Sequence, residues 1–259
     1  MLILLPPSEG KAAPGRGRPL ELKSLSLPSL TPARERVLDA LVAMCRDQPD
    51  YAATVLGLSR TQFDLVTRNA TLADAPTARA DRVYDGVLYE ALGLDTLSTT
   101  AKRRAASRLA ITSSLFGLVR VGDRIPAYRL SGDACMPGLG PVAGWWRESL
   151  GPAVVDALGK GLLVDLRSSM YAGFWRPPAE LAPRVATVRV LHEVAGRRQV
   201  VSHFNKATKG RLVRALLEDG GDPRTPAGLA ELLSDLGWTV EMEEPTKKGT
   251  QLDVVVSEV

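Results

Sequence analysis

The chain has 259 residues, 45% of them apolar and only 5% aromatic, so it can bury a sizeable core made mainly of Leu, Val and Ala and is not wholly disordered. No stretch of about 18 apolar residues occurs, and the N-terminal run MLILLPPSEGK lacks the basic flank and length of a signal peptide, so the expected location is the cytoplasm. Two cysteines (Cys45, Cys135) and two histidines (His192, His203) are too few for a disulfide framework or a zinc cluster; a hard-cation site built from carboxylates stays open, but no metal or other cofactor is expected.

The net charge of +4 is unevenly spread. Lys102–Arg129 holds seven basic residues against one acidic, and Arg184–Arg214 holds eight against one. From Ala215 onward three basic residues face ten acidic ones, which leaves +11 on the first 214 residues. Such a body suits an anionic partner. A merely solvated basic face, in a chain that prefers Arg to Lys by 25 to 8, gives the same numbers.

In chain order, residues 2–5 read as a short buried strand stopped by Pro6-Pro7. A Pro/Gly-rich loop follows to about Leu30. Thr31-Pro32 reads as the cap and first residue of a helix reaching about Arg46. Ser59 and Gln62 have capping-box spacing and open a second helix. Residues 81–92 read as one helix with Gly86 inside it, and 98–110 as a basic helix starting at Ser98. Residues 111–119 are apolar and buried, and 120–141 form a long ordered loop. Helices are expected at 141–150 and 152–158, and a central strand at 162–166. A hairpin is expected over 185–194 and 198–204, turning at Gly196-Arg197. Helices over 205–218 and 226–236 and a last hairpin (WTVEM, LDVVV) complete the chain. With no repeat and no linker, the expectation is one α+β domain over 1–259, a mixed sheet surrounded by helices.

Several polar clusters directly follow apolar strands, where α/β proteins keep their sites. Ser8-Glu9-Gly10-Lys11 follows the first; it lacks Walker spacing, and Lys11 suits a phosphate while a solvated turn suits it equally. Asp165, Arg167 and Ser168 follow the central strand, with Tyr171 near; a structural Asp–Arg pair is the alternative. In His203–Arg211, helical phase turns Lys206 and Lys209 toward the core arc of Leu212, Val213, Leu216 and Leu217. Both are expected in the first turn, where a cation opposes the helix dipole, so either a bound anion or an internal carboxylate must compensate them. Arg211 and Arg214 are expected outside. Tyr84, Asp85 and Tyr89 share a helix, and Arg120, Tyr128 and Arg129 gather about the Gly122 loop, where guanidinium and phenol groups suit phosphates or brace the loop.

The segments LLPPSEGK (4–11), YDGVLY (84–89), SSLFGLVRVGDRIPAYRL (113–130), VDLRSSMY (164–171) and HFNKATKGRLVRALL (203–217) together resemble the YaaA family, also called DUF328 or UPF0246. The resemblance implies a mixed α and β fold particular to that family. One bacterial member is linked to hydrogen peroxide stress, to limiting free iron and to protecting DNA. It further implies DNA binding through a basic cleft, to which Ser8, Lys11, Arg120, Arg129, Arg167, Ser168, Lys206 and Lys209 would contribute. A helix-hairpin-helix element is also implied, and its candidate here is 55–74, where Gly57 stands without the second glycine of Gly-x-Gly.

Two readings follow. In the first the protein binds duplex DNA without strong sequence preference, through phosphate contacts. In the second it is an enzyme on a nucleotide or other phosphorylated small molecule, with Asp85 or Asp165 as general base and His203 as proton shuttle. Iron sequestration has too few soft ligands to stand beside them.

Overall fold

In a computed structural model of the chain, the structure describes residues 1–194, 197–199 and 202–257. Leu2–Leu5 is a strand buried at every position. Four apolar residues without alternation require cover on both faces, as in a parallel sheet. The strand pairs in parallel with Leu109–Ser113 on one side and Leu163–Asp165 on the other. Val185–Val194 continues the sheet beyond Leu163–Asp165, and Thr250–Val256 beyond that, both parallel. Gly117–Val119 and Thr239–Met242 close the two edges antiparallel. The chain thus leaves Leu2–Leu5 toward one side and later returns to its other side. Such a reversal opens a crevice outside the C-terminal ends of the strands. The buried apolar residues form one contiguous cluster from Leu2 to Val254. The architecture is the mixed α and β class expected.

Several elements differ from expectation, each for a local reason. Thr31 is not the helix cap. The turn Pro28–Leu30 runs straight into the helix Thr31–Asp47, Leu30 takes the cap position, and the Thr31 hydroxyl is buried without a partner. Residues 81–92 are not one helix. Gly86 adopts φ +85° and divides them into Ala80–Val83 and Val87–Leu92; this left-handed region favours glycine. The two helices expected over 141–158 are one, Val142–Leu158, with Pro152 inside it. The apolar 111–119 segment lies in the hairpin of Leu109–Ser113 with Gly117–Val119.

Val185–Val194 pairs with Arg197–Gln199, and the next helix already starts at Ser202 and runs to Asp219. The expected turn residue Gly196 lies outside the described residues. This helix packs closely on Val87–Leu92: a Cβ at Gly210 would stand 2.3 Å from the Leu88 carbonyl oxygen. In the 55–74 segment, Pro49–Val55 and Asp64–Ala70 are both helical and flank Gly57 at φ +63°. The Ser59 N–H donates to the Gln62 carboxamide at 3.2 Å, as the capping box requires.

One buried cation ties the first long helix to the sheet edge. Arg34 has no exposed surface. It donates to the carbonyls of Phe116 (3.0 Å), Ser26 (2.8 Å) and Leu118 (2.7 Å). Arg34→Ala strands these acceptors and leaves a cavity. It is expected to lower the unfolding free energy by about 3–5 kcal/mol in urea denaturation. A loss below about 1 kcal/mol contradicts this role.

Candidate functional site

The crevice beyond Leu2–Leu5 and Leu163–Asp165 contains a cavity of about 520 Å³. Three segments wall it: Pro6–Gly10 after the first strand, Asp85–Tyr89 at the helix break, and Leu166–Tyr171 after the central strand. Asn205, Lys206 and Lys209 of the 202–219 helix close it. Three of the sequence motifs, far apart in the chain, thus meet with a fourth at one cavity.

The first two walls are stitched together. The Asp85 N–H donates to the Ser8 hydroxyl at 3.1 Å, and that hydroxyl donates to the Gly10 carbonyl at 2.6 Å. The Ala12 N–H donates to the Val83 carbonyl, and the Tyr89 hydroxyl to the Pro6 carbonyl. A Cβ at Gly10 would stand 3.1 Å from Asp85 Oδ1. The Asp85 carboxylate itself has no hydrogen bond or ion pair among the described residues. Asp85 is half-buried and lines the cavity.

Lys11 does not line the cavity. Its ammonium donates to the Ser8 carbonyl at 2.9 Å and stands 4.2 Å from the centre of the Tyr128 ring. Tyr128 shares a hydroxyl cluster with Tyr84 (3.0 Å) and Ser113 (2.7 Å). Burial lowers the Lys11 pKa to about 8, against the opposing pull of Glu9, while Arg129 lowers it further. Burial also raises the phenol pKa values of Tyr84 and Tyr128.

Asp165 and Arg167 form the internal pair. Arg167 Nε and Nη2 reach the two carboxylate oxygens at 2.9 and 2.7 Å, and the side chains are 9% and 2% exposed. Arg167 also donates to the carbonyls of Tyr171 and Trp175. Both groups are therefore engaged inside the protein, and neither faces the cavity. Ser168, next in the chain, is exposed and lines it.

Lys206 and Lys209 both face the cavity, as helical phase predicts, but not from the first turn. The early start at Ser202 makes them the fifth and eighth helical residues, so the dipole argument weakens. Lys209 donates to the Leu166 carbonyl at 3.0 Å. Its pKa is lowered by burial, with Asp165 pulling the other way. Lys206 is exposed and has no hydrogen bond or ion pair among the described residues. The side chain of His203 lies outside the described residues.

The expected cluster of Arg120, Tyr128 and Arg129 is separated. Arg120 donates to the carbonyls of Ser107 and Leu109, at the opposite end of the Leu109–Ser113 strand from the cavity. Arg129 pairs with the Glu9 carboxylate, and Asn69 holds its backbone through two hydrogen bonds. Arg214 is not free but donates to the carbonyls of Leu92 and Gly93, closing the 87–92 helix. Sequence reasoning missed Asn205, whose Oδ1 is buried without a partner, and Met170 at the rim. Asn205 was legible as part of HFNKATKG but stood at the expected helix boundary, where a polar residue draws no notice. Among the described residues no group of three or more His, Cys, Asp or Glu is close enough to hold a metal ion, and no helix is long and apolar enough to cross a membrane.

Two outcomes are expected. Asp165→Ala leaves Arg167 buried without its carboxylate and is expected to cost about 3–5 kcal/mol in chemical denaturation; a cost under about 1 kcal/mol contradicts the internal pair. Lys11 binds fewer protons folded than unfolded between pH about 8 and its unfolded value of roughly 10.4. Stability therefore rises with pH across that window, by up to about 3 kcal/mol relative to Lys11→Met. Parallel pH dependence of the two proteins contradicts the assignment.

Residues 1–244 match the family described as peroxide stress protein YaaA. A UPF0246 protein of Streptomyces coelicolor is 53% identical, with both chains covered in full. A UPF0246 protein of Corynebacterium efficiens is 43% identical over 98% of this chain and all of its own. An uncharacterised protein of Campylobacter jejuni is 25% identical over 99% of this chain and 98% of its own.

Proposed function

The chain belongs to the YaaA (UPF0246) peroxide stress protein family, and from that premise we propose that it serves the peroxide response by binding a small phosphorylated molecule in the cavity at the strand ends. One observation carries the reading. Lys206 and Lys209 share a concave cavity with an unpaired carboxylate, Asp85, at the point where the strand order reverses. Lys206, Lys209 and Ser168 hold the phosphate. Asp85, which accepts no hydrogen bond among the described residues, is the candidate general base for a reaction on the bound molecule.

DNA binding without strong sequence preference is the second reading. The observation that favours it is the +11 charge of the first 214 residues. Exposed Arg60, Arg103 and Arg211 form no ion pair among the described residues. In that reading they, with Lys206, contact phosphates along the surface.

Thermal shift against sugar phosphates, nucleotides and short duplexes tests the two. A phosphorylated small molecule is expected to stabilise the protein saturably. Lys206→Ala and Lys209→Ala are each expected to weaken it by roughly 1–3 kcal/mol, with Lys206→Ala leaving the unliganded melting temperature unchanged. A flat panel, together with duplex binding that falls steeply with salt and is weakened by Lys206→Ala, overturns the first reading in favour of the second.

A further inference from the structure

We propose that the molecule bound in this cavity is a nucleoside phosphate whose base lies on the apolar wall and donates an N–H to Asn205; this rests on the phosphate reading above. Among the groups that line the cavity, three acceptors are short of donors. Among the described residues the Asp85 carboxylate is unpaired, and the Glu9 carboxylate takes a single partner, Arg129. Asn205 Oδ1 is buried and receives no donor. The Ser8 hydroxyl already donates its proton to Gly10. A buried acceptor left unmade costs about 1–3 kcal/mol, so Asn205 gains most from a ligand that brings its own N–H.

The ligand must therefore carry an anion for the lysines and several N–H or O–H donors for the acceptors. It must also cover the apolar wall of Leu88, Tyr89, Leu166, Met170 and Tyr171. A bare sugar phosphate supplies the anion and hydroxyls but leaves that wall wet. An acyl phosphate covers the wall but brings no donors to Asn205 and Asp85. A nucleoside phosphate meets all three demands: phosphate, sugar hydroxyls, and a flat ring bearing amine or amide N–H groups. The cavity volume of about 520 Å³ lies within the usual range for such ligands.

Isothermal titration of the full chain with the four common nucleoside monophosphates, ribose phosphate and inorganic phosphate tests the assignment. At least one nucleotide is expected to bind about tenfold more tightly than ribose phosphate. Asn205→Leu is expected to abolish that preference while leaving ribose phosphate binding unchanged. In the wild-type protein, a nuclear Overhauser effect is expected between the Met170 methyl group and a base proton, which keeps the test independent of how well Asn205→Leu folds. Equal binding of ribose phosphate and every nucleotide, or a bound nucleotide with no contact to Met170, overturns the nucleoside assignment and leaves the phosphate reading intact. A nucleotide preference that survives Asn205→Leu removes Asn205 from the site. Absence of binding by every compound overturns both.

Discussion

The parallel pairing of Leu2–Leu5 on both of its sides is the constraint from which the rest follows. A strand with two parallel neighbours must be reached by crossovers on either side, and the chain makes them in opposite directions. The loops at its C-terminal end diverge, and a crevice opens between them. Pro6-Pro7 takes the backbone out of the sheet at that point and holds Ser8–Gly10 along the crevice. The central strand delivers Leu166 and Ser168 to the same end. Gly86 breaks a helix next to Asp85, which lines the cavity, and Gly210 lets the 202–219 helix approach closely enough to bring Lys206 and Lys209 over it.

Charge is distributed by a different rule from the one its total suggests. Much of the arginine excess closes backbone carbonyls at the ends of elements. Arg104 and Arg108 donate to the carbonyls of Leu217, Glu218, Gly220 and Gly221 at the end of the 202–219 helix. Arg184 donates to those of Gly159 and Gly161, and Arg214 to those of Leu92 and Gly93. A guanidinium is well suited to this, since its donors fork and helix C-termini favour cations. The arginines so engaged are positioned by the fold. The lysines at the cavity are different: among the described residues Lys206 is unpartnered and Lys209 holds a single carbonyl.

Legibility in the sequence followed the locality of the signal. The buried strand at 2–5, the central strand read over 162–166 and found over 163–165, the cap at Ser98 and the inward phase of Lys209 depend on a few adjacent residues and appear in the structure; Lys206, read as inward, lines the cavity but is exposed. The Asp165–Arg167 pair was legible as an alternative, because i, i+2 residues at a strand end can meet. Arg120 and Arg129 were adjacent to the same loop in sequence but separate in space, since the antiparallel edge strand carries Arg120 to the far end of the sheet. No local pattern announces which of 25 arginines meets a distant carbonyl. Asn205 was hidden by the helix boundary, and Lys11 by the tyrosines that reach it from 84 and 128.

An anion is expected to settle in the cavity at the strand ends. A crystal of the protein soaked in tungstate, a heavy phosphate mimic, locates that position by anomalous scattering. One dominant peak is expected in the cavity within hydrogen-bond distance of Lys206 or Lys209, with weaker peaks elsewhere. A vacant cavity, with tungstate gathered instead on exposed arginines such as Arg60 or Arg103, contradicts it.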